Sequence, residues 1–228
     1  MPEYELIEWN EENTNLSIPF IDYFYKRKQW AYVSDYVRLL TLYDHGGIYL
    51  DTDVLVLKSF KELENNNCFL GFEEHNRIAA GIIGAERGNQ FLKACLDYYN
   101  QMKFDVEIKI ENILIPELIT KVYNDLNKDL SNKAFKVRIF NEEFFYPVSF
   151  YSRLDVRNYR KYITKNSYAV HLWYGSWLDH SIEHYINMKE YKKAIFYYTK
   201  KDLNLFKIDT FLEAKKYFKY FLSSIKDL

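Results

Sequence analysis

Proline and glycine are scarce in this chain, with 4 and 7 in 228 residues. So few turn formers argue against a sandwich or barrel built from many short hairpins. Cysteine is scarcer still, at two: Cys68 and Cys95. A pair is no disulfide framework for a domain of this size, which points to a reducing compartment. No apolar run reaches the length of a membrane span, and no charged-then-apolar leader opens the chain. The expectation is a protein that is soluble, or peripheral to a membrane at most. Neither sign of charge prevails, since 31 basic and 32 acidic residues leave −1. No general attraction to nucleic acid follows.

What is present suits one domain with a sizeable core, at 48% hydrophobic and 28% charged residues. Aromatic residues make up 19%, with 22 Tyr and 17 Phe. AT-rich coding accounts for most of that excess, and sugar stacking on aromatic faces is the sharper alternative for individual residues near a site. Both readings stay open on composition alone.

Periodicity predicts a short strand over residues 5–9, then helices over 20–28 and 29–43. In the second helix Val33, Val37, Leu40 and Tyr43 recur near helical spacing, and Gly46-Gly47 supplies its stop. Residues 48–50 and 54–57 are apolar and β-branched, as in a strand buried on both faces. Further strands are predicted over 69–72, 78–85, 136–140 and 168–173. Helices are predicted over 89–102 and 113–126, with Pro116 in the first turn of the latter. Strands alternating with helices imply an α/β domain with a largely parallel central sheet flanked by helices.

Residues 1–184 read as this domain, and 185–228 as a C-terminal helical segment. The tail holds ten lysines against five acidic residues, net +5. Phe211, Ala214, Phe218, Phe221 and Ile225 share one helical face there. That face suits a closing helix docked on the core. The alternative is a basic amphipathic helix in peripheral contact with an anionic membrane.

The densest chemistry lies in residues 31–57, AYVSDYVRLLTLYDHGGIYLDTDVLVL. Asp51 and Asp53 stand one residue apart where one apolar strand ends and another begins. Charged carboxylates among apolar strands are expensive to bury, and a divalent cation offsets that cost. Two hard oxygen ligands suit Mn²⁺ or Mg²⁺ held together with substrate phosphates. Turn aspartates capping a strand are the plainer alternative. Asp35 and Arg38, three apart on a helix, share a face. They form an intrahelical ion pair or reach the same pocket as the aspartates. His171, where a late strand leaves the sheet, is a candidate third ligand. Ser176 and Trp177 just beyond it carry donors for a diphosphate. His45, His75, His180 and His184 have no such setting and read as surface residues.

The stretch WAYVSDYVRLLTLYDHGGIYLDTDV resembles the DXD-motif sugar transferases of glycosyltransferase family 32, a group with bacterial capsular-polysaccharide transferases and yeast mannosyltransferases. The resemblance continues through GFEE, AAGIIGAERGNQFLK and AVHLWYGSW, covering residues 2–177. It implies a GT-A, Rossmann-like fold and retaining transfer of a sugar from a UDP- or GDP-linked donor to a glycan or lipid-linked acceptor. Asp53 would ligate the metal directly. Asp51 would hold the ribose and the metal's water shell, and His171 would complete the site. Asp35 and Arg38 would hold the donor sugar, Ser176 and Trp177 the β-phosphate. Residues 81–84 would lie near the acceptor. Family members open with a strand of the type I-P-K-I-I-H-x-x-W, which supports the nucleotide base. Here the chain opens on the residues of the second strand, so the first is expected to be missing.

Two rival readings frame that expectation. A haloacid-dehalogenase-type phosphatase also uses a strand followed by D-x-D. It places Gly and Thr after the second Asp, where Val54-Leu55 stand here, and it needs a later acidic pair that this sequence lacks. A catalytically impaired glycan- or nucleotide-binding homologue is the other rival, motivated by the missing strand. The expected setting is the bacterial cytoplasm, at the inner membrane face if the tail binds there, in surface-polysaccharide synthesis.

Overall fold

The computed structural model describes residues 4–74, 76–103, 114–128 and 136–174. The chain divides into two compact units, Met1–Trp173 and Tyr174–Leu228. Of the second, Tyr174 alone is described. Ser176, Trp177, three of the five histidines (His75, His180 and His184) and the expected helices of 185–228 lie outside the described residues.

Helix α1, Pro19–Lys26, starts on a proline, whose fixed φ suits a first helical position. Helix α2, Trp30–His45, has no internal glycine or proline. It stops at Gly46, where φ is 72° and the N–H caps Leu42 O at 2.8 Å. Its fully buried face holds Asp35, Tyr36, Arg38, Leu39 and Leu42. The Asp35–Arg38 pair is therefore interior. Helix α3, Gln90–Asn100, is capped by Asn89, whose side chain accepts the Phe91 and Leu92 N–H groups. It buries Phe91, Leu92, Cys95, Leu96 and Tyr99, the positions that its periodicity picks out. Helix α4, Ile115–Lys128, buries Ile115, Leu118, Ile119 and Val122. Cys68 and Cys95 are both buried and unpaired. No helix among the described residues is long and apolar enough to cross a membrane.

The strands are β1 (Gly47–Leu50), β2 (Val54–Val56), β3 (Cys68–Glu74), β4 (Arg77–Ala85), β5 (Val137–Phe140) and β6 (Ala169–His171). They form a four-stranded sheet in the order β1-β4-β3-β5 and a separate β2–β6 ribbon. The sheet is mixed, which corrects the largely parallel one expected. Among the described residues only β3–β5 is parallel; β1–β4, β3–β4 and β2–β6 are antiparallel. The reason is loop length: two positions separate β3 from β4, and a parallel crossover needs a dozen or more.

Two further corrections follow. Residues 5–9 form no strand: they run irregularly, with Leu6 96% exposed, because no sheet edge among the described residues pairs with them. Strands β1 and β2 are half-buried at best, so they lack the two covered faces that their apolar runs suggested. The core sits instead between the β3–β4 hairpin and helices α1 to α4. A second apolar cluster on the other side of the hairpin includes Phe60, Phe69, Ile82, Phe145 and Tyr146. Helix α5, Glu142–Phe145, supplies Phe145 to it.

One irregularity positions the site. Phe69 pairs with Gly84, and Gly71 with Ala79. Between those pairs, Leu70 on β3 faces four residues on β4: Ala80, Gly81, Ile82 and Ile83. A bulge of this kind bends a strand and frees its backbone groups for other partners.

Candidate metal centre

Three elements meet at the bulge. The turn after β1 carries Asp51 and Asp53, with Val54 N–H donating to Asp51 O at 3.1 Å. The β2–β6 ribbon pairs Val54 with His171, which sets Asp53 beside the imidazole. Strand β4 forms the floor: Gly81 O accepts the Asp51 N–H at 2.8 Å. A Cβ on Gly81 would stand 2.8 Å from Asp51 Oδ2 and 2.9 Å from His171 Cδ2. Only glycine leaves that approach open.

His171 Nε2 lies 3.5 Å from Asp51 Oδ2 and 3.3 Å from Asp53 Oδ1. One ligand atom each from Asp51, Asp53 and His171 lies within 4.8 Å of the others. Two carboxylate oxygens and one imidazole nitrogen form a donor set that suits Mn²⁺ or Mg²⁺, and the three residues converge well enough to hold such an ion. His171 Nδ1 accepts the Trp173 N–H at 3.2 Å. Nε2 is thus the ring nitrogen that faces the two carboxylates. Trp173 itself has a φ of 55°, and its ring centroid is 4.2 Å from that of His171.

Asp51 is anchored on one side and open on the other. Its Oδ1 accepts from Arg38 Nη1 at 3.1 Å and from the Tyr49 hydroxyl at 2.7 Å. Its Oδ2 faces His171. Burial raises this carboxyl, but the hydrogen bond from His171, the Arg38 charge and the Tyr49 hydroxyl outweigh it and hold it below the ordinary value. Tyr49 belongs to the site although its residue type alone did not mark it. Strand period was the available signal, since residues 49 and 51 share a face.

Arg38 is 8% exposed, and each of its five N–H groups has a partner within the protein. Nη1 bonds Asp51 and the Ala80 carbonyl freed by the bulge, at 3.1 and 3.0 Å. Nη2 bonds Asp35 Oδ1 at 2.9 Å and Ser34 Oγ at 3.2 Å, and Nε bonds Ser34 O at 3.3 Å. Its guanidinium also lies 4.6 Å from the Tyr49 ring centroid. No donor remains here for the sugar that the resemblance assigns to Arg38. Asp35 is equally interior. Burial pushes its carboxyl up to about 6, against the pull of Arg38 and with a push from the Asp51 charge.

Behind the floor, the Tyr146 hydroxyl accepts the Ile82 N–H at 3.0 Å. Burial holds that phenol protonated, well above its ordinary value. Of the expected site residues, Asp35, Arg38, Asp51, Asp53 and His171 thus come together in one network. His45 is exposed and meets the Trp9 ring at a tilt, 5.1 Å between centroids, away from this cluster.

Residues 1–70 match the glycosyltransferase sugar-binding region containing a DXD motif. Residues 84–197 match the alpha 1,4-glycosyltransferase conserved region. Similar curated proteins include the lactosylceramide 4-alpha-galactosyltransferase of Mus musculus, 28% identical over 160 residues, covering 64% of this chain and 41% of that one. The alpha-1,4-N-acetylglucosaminyltransferase of Homo sapiens is 29% identical over 160 residues, covering 64% of this chain and 44% of its own. The chain therefore spans less than half the length of these two relatives. No solved structure matches it.

Proposed function

Because the chain belongs to the family defined by the alpha 1,4-glycosyltransferase conserved region, we propose that it is a metal-dependent glycosyltransferase with a GT-A-like domain. It moves a sugar from a UDP- or GDP-linked donor to a glycan or glycolipid acceptor, with retention at the anomeric carbon. The observation that carries this reading is the convergence of Asp51, Asp53 and His171 from a turn and a distant strand.

Those three residues would hold Mn²⁺ or Mg²⁺. When bound, the ion supplies Lewis-acid neutralisation of the charge on the departing diphosphate. The chain's own residues supply rigidity. Arg38 and Tyr49 fix one oxygen of Asp51, which leaves the other aimed at the cation position. Arg38 is therefore a positioning residue, and Asp35 holds Arg38 in turn. Gly81 keeps the floor low enough for carboxylate and imidazole to approach. Ser176 and Trp177 contribute donors to the diphosphate. The acceptor hydroxyl attacks on the face that the diphosphate leaves. A glycolipid acceptor is favoured by the name of the mouse relative, and a cytoplasmic site at a membrane face, in surface-glycan synthesis, accommodates it.

The test is donor hydrolysis and transfer across a panel of UDP- and GDP-sugars with Mn²⁺, for the wild type and Asp53→Ala. The variant is expected to lose at least about 100-fold in turnover. Undiminished turnover would remove the metal role. A second reading, a binding homologue that no longer transfers, is favoured by the exposed, unpaired course of residues 5–9. Calorimetric binding of UDP with Mn²⁺, without hydrolysis of any donor in the panel, would select it.

A further inference from the structure

The stretch GFEE takes no part in the network described above, yet it sets a carboxylate beside it. Glu73 lies near the end of β3 and is 6% exposed. Strands β1 and β3 are not paired with each other, but both run antiparallel to β4 between them, and β5 runs parallel to β3. Strands β1, β3 and β5 therefore point the same way. Their carboxyl ends share one edge of the sheet, the edge outside which open α/β sheets bind ligands. Asp51 follows the end of β1, and Glu73 stands at the matching end of β3.

Both also belong to one face of the sheet. Side chains alternate along a strand. Cys68, Leu70 and Phe72 pack toward the helices, whereas Phe69 packs into the second apolar cluster. A Cβ on Gly71 would meet the Phe145 and Tyr146 rings of that cluster. Glu73 continues this second set, roughly 7 Å beyond Gly71 along the strand. On β4, Ala79 belongs to the same cluster, and Gly81, two positions on, is the floor under Asp51 and His171. Tyr146 stands between the two carboxylates. Its ring lies 5.8 Å from that of His171, and after burial the charges of Asp51 and Glu73 do most to keep its phenol protonated.

The Glu73 carboxylate is braced on one side only. Its Oε1 pairs with Arg77 Nη1, and Arg77 Nη2 pairs in turn with Glu117 Oε1 at 2.8 Å. Burial raises the carboxyl, against the pull of the Arg77 charge and then of His171. Oε2 has no partner among the described residues. None of their polar side-chain atoms is both unbonded and sealed from solvent, so Oε2 opens to solvent. A carboxylate offers about four lone-pair sites, and the pair with Arg77 leaves those of Oε2 free to accept.

We propose that Glu73 Oε2 accepts a hydrogen bond from a hydroxyl of the donor's sugar, which makes Glu73 a sugar-binding residue of this site. The role rests on the transferase reading only in taking a sugar nucleotide as the ligand. A donor whose diphosphate meets the cation position carries its sugar along the carboxyl edge of the sheet. Arg38 has spent its donors within the protein and cannot hold that sugar. A buried carboxylate with one oxygen pinned and the other open is a preorganised acceptor for a hydroxyl, and a charge-assisted bond of this kind is a strong one.

The experiment uses the full chain with Mn²⁺. Calorimetry across the panel of UDP- and GDP-sugars selects the donor that the wild type binds most tightly. The dissociation constants of that donor and of its free nucleoside diphosphate are then compared. Glu73→Ala should weaken the donor at least about tenfold and leave the nucleoside diphosphate within about twofold. Glu73→Gln keeps an acceptor oxygen without the charge and should fall between. Arg77 retains Glu117 in both variants, and the melting temperature checks that they fold. Where the alanine variant does not fold, the glutamine variant carries the same comparison. Unchanged donor affinity in the folded variants overturns the role, and so does equal weakening of donor and nucleoside diphosphate, which marks Glu73 as structural. A wild type that binds no sugar nucleotide removes both this role and the transferase reading. A wild type that turns over no donor, with the binding difference intact, removes that reading alone and leaves Glu73 in place.

Discussion

The β3–β4 hairpin and the turn around Asp51 that leads into the β2–β6 ribbon use their side chains in opposite ways. Along β4, every residue from Ile78 to Ala85 is buried, and the strand is covered on both faces. Its geometry is set by apolar burial, which is strong and non-directional. The ribbon has two three-residue strands, of which β6 is buried and β2 only half-buried. The turn around Asp51 that leads into it is held against the hairpin by directional bonds: Arg38 to Asp51 and Ala80, Tyr49 to Asp51, and Asp51 N–H to Gly81. The contrast teaches that the fold and the site have separate supports which meet at the β4 bulge. Substitutions in one should be visible in stability, and in the other in cation binding.

Arg38 tests that separation most severely, because it belongs to both supports. Arg38→Ala leaves Asp35 and Asp51 without their shared cation in the interior. The expected loss is about 3–5 kcal/mol of stability by denaturant unfolding, together with loss of Mn²⁺ binding by calorimetry. Retention of either property would break the assignment of Arg38 as the link. Leu70, fully buried opposite the bulge, belongs to the first support. Leu70→Ala should cost about 3 kcal/mol while the folded fraction binds Mn²⁺ with the wild-type affinity. A shift in that affinity would mean that packing and site are coupled through the bulge.

Asp35 sharpens the comparison through pH. Its carboxyl is raised from 3.8 to about 6, chiefly by burial. The folded state therefore binds this proton more tightly than the unfolded state does. The stability that results is fully present below about pH 3.8 and is lost as pH rises through about 6. Its full extent is on the order of 3 kcal/mol. The melting temperature of the wild type, relative to Asp35→Asn, should fall as pH rises across that window. A pH-independent difference would show that Arg38 cancels the burial effect.

Gly81 gives the smallest effect and the most local. Gly81→Ala puts a methyl group against Asp51 and His171. Stability should change by less than about 1 kcal/mol, while Mn²⁺ affinity falls about tenfold. Unchanged affinity would show that the two side chains can move apart and still close on the ion.

Much of this was legible in the chain. The helix around Asp35 and Arg38, its glycine stop and the buried positions of α3 follow from periodicity and backbone preference. The aspartate pair was conspicuous because carboxylates among apolar residues demand a partner. The direction of the strands was misjudged, although the two-position gap after β3 carried the correct signal. Residues 5–9 have a strand-like composition and find no partner strand among the described residues. The network around Arg38 was not legible, because three of its partners, the Ala80 carbonyl, Ser34 and Tyr49, are a backbone group and common polar residues.

The sequence by itself determined the helical segments, their ends, and an aspartate pair in a turn between two short strands. These depend on contacts a few residues apart, which local spacing encodes. The tertiary structure alone decided that the sheet is mixed and that Arg38 faces inward with no donor to spare, and it brought His171, a candidate ligand roughly 120 residues beyond Asp51, up to the two aspartates. Burial drives the chain together without specifying which polar groups meet. That choice falls to strand register and to the demand that each buried donor and acceptor find a partner.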